Sequence, residues 1–392
     1  MLTFLITFLS IYGGMHIYAF YRLYIAFSFG RPTTIFLTIW FFLMTIAPLL
    51  VRLFERSGMD SYAIFIALPG YVWMGFIFIF VSMLIILDLI RSSYWLAHFT
   101  ISTSTPAFLS SPFTCGTVLL AAVAASCYAC YEARQIKSEL IIISSPKISP
   151  DIPKIRIVQI SDVHIGMLFR EERLEQVLKI VREAKPDILV STGDLVDGKL
   201  NRDDMTTHQN RLATMLASVP TPAGKYAVTG NHESYAGLNQ SLAFTNAAGF
   251  KVLRNQSIQL PNGIIISGVD DQVLLGGLIK AQSTENDFIK TVPKDVFHIL
   301  LKHRPEILTT SDGHIDLQLS GHVHNGQIFP FNFLVKLKYP IPCGTTKTRA
   351  GSNIHVSRGT GTWGPPMRLF APPEVTVIDI IPMPVTLTPR KS

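Results

Sequence analysis

Two patterns of hydrophobicity divide the chain. Over its first third, apolar residues run almost unbroken at 2–21, 35–53, 62–87 and 113–131. Runs of this kind match the roughly 20 residues that cross a hydrocarbon core. Tyr21, Tyr24, Trp40, Tyr94 and Trp95 fall near several of their ends, as interfacial aromatics do. Residues 1–131 hold no lysine, five arginines and three acids. Buried helices of a soluble protein are the lesser reading. A cleaved signal peptide fits poorly, because the first residues carry no positive charge and further apolar runs follow at once. The Ser/Thr/Pro-rich segment 94–112 leaves room for a re-entrant piece or a fifth crossing.

Beyond Arg134 the pattern changes to alternating strands and helices. A Ser/Pro-bearing stretch, "ISSPKISPDIPK" at 143–154, reads as part of a linker over 134–153. "IRIVQI" (155–160) follows as a buried strand, then "EERLEQVLKIVREAK" (171–185), whose apolar residues at 174, 177, 178 and 181 have helical spacing. "DILVST" (187–192), "KYAVTG" (225–230), 251–260, 263–269, "FHILL" (297–301) and "DLQLS" (316–320) read as strands. So do "NIHVS" and "EVTVIDI" near the end, while "RLATMLASV" (211–219) and a stretch near 239–248 read as helices. Strands separated by helices predict an α/β fold with a largely parallel sheet and ligands beyond the strands' C-terminal ends. The expected division is a transmembrane region at 1–133, a linker at 134–153, an α/β domain at 154–381 and a loose tail at 382–392.

Charge narrows the class. The net charge is +7, but acids and bases are well mixed in the second part, so no nucleic-acid surface is indicated. Arg52, Arg56, Arg134, Lys137 and Lys147 fall on one side of the spans, and Arg22, Arg31 and Arg91 on the other. That bias places a multi-pass protein in the cell membrane with its catalytic domain in the cytoplasm. Cys115, Cys127, Cys130 and Cys343 imply no disulfide framework. The C-x-x-C at 127–130 lies in an apolar run, lacks a second pair and reads as packing.

Chemistry enters at the strand ends. "SGHVHNG" (320–326) holds two histidines one residue apart after a strand. In a regular strand their rings would share a face, as metal ligands would. The same occurs after "IRIVQI", where "SDVHIG" holds Asp162 and His164. "TGDLVDG" then offers Asp194 and Asp197, "TGNHES" Asn231 and His232, and "KHRP" His303; the later pair is His322 and His324. Five strand ends thus converge on one set of Asp, Asn and His.

In order, "DVH", "GDLVD", "GNHE", a later His and "GHVH" resemble the signature of the calcineurin-like metallophosphoesterases over roughly 154–381. The ending "SRGTGTWGPPMRLFAPPEV" is similar to the membrane-associated YkuE/YaeI-like branch, which includes phosphodiesterases and UDP-diacylglucosamine pyrophosphatases. Where that branch has "GHTHGGQ", this chain has "GHVHNGQ", with Val323 and Asn325 at non-ligand positions.

The resemblance implies a four-layer α/β/β/α sandwich, here preceded by an all-α transmembrane bundle, with two divalent metal ions at the strand ends. Asp162, His164 and His324 would hold one ion; Asn231, His303 and His322 would hold the other, with Asp194 bridging. The mixed O/N set suits Mn first, with Fe, Zn or Mg as alternatives. A bridging carboxylate keeps two such ions about 3.5–4 Å apart, and their shared hydroxide would attack phosphorus in line. His232 would stand by the leaving oxygen as a catalytic group, oriented by Asp197; capping of the next helix is the competing role for Asp197. His208, His298, His314 and His355 match no motif. Arg304 and Arg358 fit a phosphate clamp or structural ion pairs, and Trp363 a lipid or leaving-group pocket.

The expected function is therefore hydrolysis of a phosphodiester or pyrophosphate bond, on a phosphate-ester substrate that the membrane helices favour as lipid-linked. Membrane lipid is the expected partner, with no nucleic acid; the sequence carries no signature of an oligomeric state. The alternative is a catalytically silent membrane scaffold or sensor, which predicts broken ligand positions. A third reading makes the spans a transport module regulated by the enzyme, with Asp88 as their deepest acid.

Overall fold

The computed structural model describes residues 2–101, 106–198 and 205–383. The expected tail at 382–392 lies almost wholly outside the described residues. Two compact units are present: Met1–Arg134 with Ile328–Pro330 and Gly364–Phe370, and the remainder of the chain.

The apolar runs of the first unit become α1 (Leu2–Phe27), α2 (Arg31–Arg56), α3 (Asp60–Ile101) and α4 (Pro112–Glu132). Ser111 starts α4: its side chain accepts from the Thr114 N–H, and Pro112 takes the first helical position, where no N–H is needed. Arg31–Arg56, Asp60–His98 and Pro112–Glu132 are long and apolar enough to cross a membrane. At 42 residues α3 spans on the order of 60 Å, twice a hydrocarbon core. Residues 94–101 continue α3 and 107–110 form one 3₁₀ turn. Among the described residues no further crossing lies between α3 and α4.

Polar groups inside this unit are paired with one another. His16 Nδ1 lies 2.7 Å from the Tyr12 carbonyl and its Nε2 accepts from Trp73 at 2.9 Å. Asp88 accepts from Tyr18 at 2.5 Å and Arg91 at 3.1 Å and pairs with Arg22. The acid singled out for a transport role is thus neutralised by two guanidinium groups.

Two short later segments pack in the same unit, which the expected contiguous domains did not anticipate. Ile328 pairs with Leu369 in a parallel bridge, and the Arg368 N–H bonds the Ala129 carbonyl at 2.9 Å. Ile328, Met367 and Leu369 join the apolar cluster of Phe80, Leu84 and Ala122. These pieces are too short to show a hydrophobic period, so only tertiary contact reveals them.

The second unit is built on two six-stranded sheets. One runs β1 (Lys137–Ser145), β12 (Glu374–Pro382), β2 (Ile155–Ile160), β3 (Ile188–Ser191), β4 (Lys225–Ala227), β5 (Lys251–Val252). The other runs β10 (Gly344–Lys347), β11 (Asn353–Val356), β9 (Leu317–Ser320), β8 (His298–Leu301), β7 (Ile265–Gly268), β6 (Gln256–Gln259). The pairs from β2 to β5 and from β7 through β8 and β9 to β11 are parallel, as crossover helices require.

The strand period of two sorts the side chains. Ile155 and Ile157 of β2 enter the cluster between the sheets with Val190, Ile266, Ile299, Leu317 and Ile378. Val158 and Ile160 face the other way, into a cluster with Leu174, Leu178 and Val181 of α5 (Glu171–Ala184) and Leu212 and Leu216 of α6 (Met205–Ala217). The spacing read at 174, 177, 178 and 181 is the buried face of α5. After β4 come α7 (Asn231–Ala236) and α8 (Leu238–Ala247); α9 (Gln272–Leu275) and α10 (Leu278–Ile289) follow β7. Ile289 of α10 packs on Val269, Leu300 and Ile315, the outer layer of the second sheet. The layers are α/β/β/α, as expected.

The segment expected as a linker is corrected. Lys137–Ser145 forms β1, in parallel register with β12 from Lys137↔Glu374 to Ser145↔Pro382. The Ser/Pro-bearing stretch that begins at Ile143 disguised an edge strand whose Leu140 and Ile142 remain exposed.

Candidate dimetal centre

Each candidate residue lies just past the C-terminal end of a strand: Asp162 and His164 after β2, Asp194 and Asp197 after β3, Asn231 and His232 after β4. His303 follows β8, and His322 and His324 follow β9. Gln159 ties the two sheets together there, its Nε2 donating to Thr192 Oγ1 at 2.9 Å and the Ser320 carbonyl at 3.0 Å. The loops after β2 and β3 stay paired beyond the sheet, through Asp162 N–H to the Gly193 carbonyl and His164 N–H to the Asp194 carbonyl, both 3.0 Å.

Side chains converge by backbone conformation rather than by strand pleat, contrary to the reading from H-x-H. Asp162, His164, Asp194, His322 and His324 all have positive φ, between 49° and 73°. They are five of the eleven such non-glycine residues among the described residues. Each left-handed residue costs about 1–2 kcal/mol, and strain of this kind gathers where function demands a geometry. Glycines make the approach possible: a Cβ on Gly230 would collide with Asp194, and one on Gly321 with Ser161 and Asp162.

Three groups result, Asp162–His164–His324, Asp194–His303–His322 and His164–Asp197–His232, each with three heteroatoms within 4.8 Å of one another; the first two are the expected ligand triads. His164 Nε2 lies 3.1 Å from His324 Nε2, and His324 Nε2 lies 3.4 Å from Asp162 Oδ1. In the second triad His303 Nε2 lies 3.1 Å from His322 Nδ1, 3.2 Å from Asp194 Oδ2 and 3.3 Å from Asn231 Oδ1. With metal–nitrogen bonds near 2.1 Å, ligands about a right angle apart are separated by about 3 Å. These edges fit divalent ions, as does the O/N donor set.

The charge balance points the same way. Burial pushes the Asp162 carboxyl up to about 6, with Asp194 adding to the effect. Burial lowers His164 to about 4. Burial opposes charge on His303, yet Asp194 and Asp162 raise it to about 10. Asp194 is held well below the carboxylate range: burial opposes this, but His303, His232 and His164 outweigh it. A dense carboxylate pair thus draws compensating positive charge, which protons or cations can provide. Asp194 acts on groups of both triads.

His232 sits beside the ligands. Its backbone N–H donates to Asp194 Oδ1 at 2.8 Å, and its ring Nδ1 lies 2.9 Å from Asp197 Oδ1. Burial disfavours its charged form, but Asp194 and Asp197 raise it to about 9. The rings of Tyr235 and Trp363 flank His232 at 5.5 and 6.0 Å. Trp363 is held by two bonds to Gln327, Nε2 to its carbonyl and Oε1 from its N–H, both 2.9 Å.

Two supporting residues carried no role in the sequence reading. The buried Glu233 carboxylate accepts from Asp194, Leu195, Val196 and Gly230 N–H groups at 2.7–3.2 Å, clamping the β3 and β4 loops. Its place in "GNHE" was the available signal. Asp271 pairs with Arg304 at 2.7 Å, and Arg304 Nη1 lies 2.9 Å from His322 Nε2. Arg304 is therefore engaged at the site's edge, while Arg358 is a structural partner of Glu139 and Glu374 at 2.5 and 2.7 Å. His298 and His355 are buried in hydrogen bonds to Ser267 and Thr376, and His208 bonds Glu171.

Comparison with known proteins agrees with this geometry. The calcineurin-like phosphoesterase family profile matches residues 155–326. An Aquifex aeolicus protein described as an uncharacterized metallophosphoesterase is 40% identical over 260 residues, 66% of this chain and 97% of that protein. YkuE of Bacillus subtilis, also described as a metallophosphoesterase, is 34% identical over 64% of this chain and 88% of its own length. A Danio rerio "transmembrane protein with metallophosphoesterase domain" is 29% identical over 59% of this chain and 54% of its own. The chain belongs to the calcineurin-like metallophosphoesterase family, whose fold implies divalent metal ions.

Proposed function

We propose that this chain is a membrane-embedded phosphoesterase that hydrolyses a phosphodiester or pyrophosphate bond with the help of two divalent ions. The observation that carries it is the pair of adjacent triads with His232 held beside them. Asp162, His164 and His324 would hold one ion, Asn231, His303 and His322 the other, and Asp194 would be shared. Bound there, the ions supply Lewis-acid polarisation of phosphoryl oxygen and a water acidified for attack. His232 gives its proton to the leaving oxygen, and Asp197 fixes the ring for that transfer. No ligand position is broken, which argues against a silent scaffold.

The apolar helices support a membrane-embedded enzyme, the Arg/Lys bias of the loops supports a cytoplasmic catalytic unit, and a membrane setting favours a lipid-linked phosphate ester. Turnover of bis-p-nitrophenyl phosphate with and without Mn²⁺, beside Asp194→Asn, tests the chemistry. We expect metal-dependent turnover that Asp194→Asn lowers by at least about 10²-fold. Unchanged turnover in that variant overturns the assignment. A panel of phospholipids and acylated sugar nucleotides, read by mass spectrometry, then identifies the substrate class.

A further inference from the structure

The helix α11 (Phe331–Lys338), "FNFLVKLK", has its amphipathicity inverted. At helical spacing Asn332, Val335 and Tyr339 share one face. They are the only positions of 331–339 that are not exposed: Val335 packs beside buried Tyr339, Ile354 and Val356. The outward positions are the apolar ones. Phe331, Phe333, Leu334 and Leu337 are 46, 57, 59 and 84% exposed. Phe333, Leu337 and Leu334 form the outward crest, and the exposed Lys336 and Lys338 lie on its opposite flanks, Lys338 Nζ also 5.2 Å from the Tyr339 ring centroid.

A water-facing helix of a catalytic domain carries its apolar stripe inward. An apolar crest with lysines on both flanks instead matches a helix lying in a bilayer interface, its crest among acyl chains and its ammonium groups among anionic headgroups. The chain supplies the bilayer: three of its helices are apolar enough to cross one. Residues Ile328–Pro330, which immediately precede α11, pack with those helices. The other end of α11 reaches the candidate metal centre. The Tyr339 ring lies 5.7 Å from that of His322, and its hydroxyl accepts from Arg304 Nη1 at 3.3 Å.

We infer that α11 is an interfacial helix that seats the catalytic unit on an anionic lipid surface and brings the His322 edge of the site to headgroup level. This rests on the proposed phosphoesterase reading only for its consequence, which is that the enzyme draws phosphate esters from the membrane plane.

The binding itself is tested without any activity assay. Full-length chain carrying photoreactive benzoylphenylalanine in place of Leu337, or of exposed Lys294 as control, is irradiated in nanodiscs containing phosphatidylglycerol and analysed by mass spectrometry. Lipid adducts at position 337 at least about tenfold above position 294 are expected. Adducts at 337 to the protein's own helices or to a second copy, or no excess of lipid adducts, overturn the inference. The consequence is tested with Phe333→Asp/Leu337→Asp, both exposed positions. Turnover of a vesicle-borne phosphodiester lipid should fall about tenfold or more while that of bis-p-nitrophenyl phosphate is unchanged. Equal turnover of the lipid by variant and parent contradicts it. Absence of turnover by the parent on both substrates is a failure of the phosphoesterase reading, which the cross-linking result would not share.

Discussion

Nδ1 of His232 lies 2.9 Å from Oδ1 of Asp197. That contact fixes the ring by one nitrogen and leaves Nε2 for the substrate. In the proposed reaction Asp197 acts through the histidine, whereas His232 is the group that would meet the leaving oxygen.

Replacing the two residues should therefore have separable effects. His232→Ala is expected to lower kcat by about 10²–10⁴-fold, the range for lost general acid catalysis. Asp197→Asn should lower kcat about tenfold to a hundredfold, by misorienting the ring. Metal content should be unchanged in both. Loss of bound metal in Asp197→Asn would make it a ligand instead.

The same pair sets a pH dependence. His232 is raised to about 9 in the metal-free chain: burial opposes this, and Asp194 and Asp197 outweigh it. The protonated form is the competent one, so kcat should fall as pH rises through the histidine's pKa. Bound cations oppose protonation, which places that limb at or below about 9. Asp197→Asn removes one of the anions that raise it and should move the limb to lower pH. A pH–rate profile with the limb unmoved would separate it from His232.

Glu233 accepts four backbone N–H groups from two loops. Glu233→Gln replaces one acceptor oxygen by a donor and leaves buried N–H groups unpaired, at about 1–3 kcal/mol each. A thermal midpoint lowered by several degrees, with weaker metal binding, is expected. An unchanged midpoint would mean the loops are held by other contacts.

Asp271 compensates a largely buried Arg304 that touches His322. Asp271→Ala should destabilise by about 3–5 kcal/mol, since one charge of a buried pair is left alone. Arg304→Ala/Asp271→Ala should recover part of that loss. Equal losses in the single and double variants, measured by denaturant unfolding, would contradict the coupling.

Much of this site was legible because an α/β sheet delivers its strand ends to one edge, and "DVH", "GDLVD", "GNHE" and "GHVH" each follow a strand. The conformations that aim the ligands were not, since left-handed φ at His164 or His322 leaves no trace in residue type. Glu233 was read as part of a motif without a role, because its partners are backbone groups distant in sequence. β1 looked like a linker because an edge strand needs only one buried row. The segments around Ile328 and Met367 carry no period at all.

The central claim is that two triads bind two divalent ions, and elemental analysis of the purified, Mn²⁺-loaded full-length chain measures it directly. The parent should hold two ions per chain, and His324→Ala and His303→Ala should each hold about one. A parent that binds no transition ion, or variants whose count equals the parent's, would contradict the account.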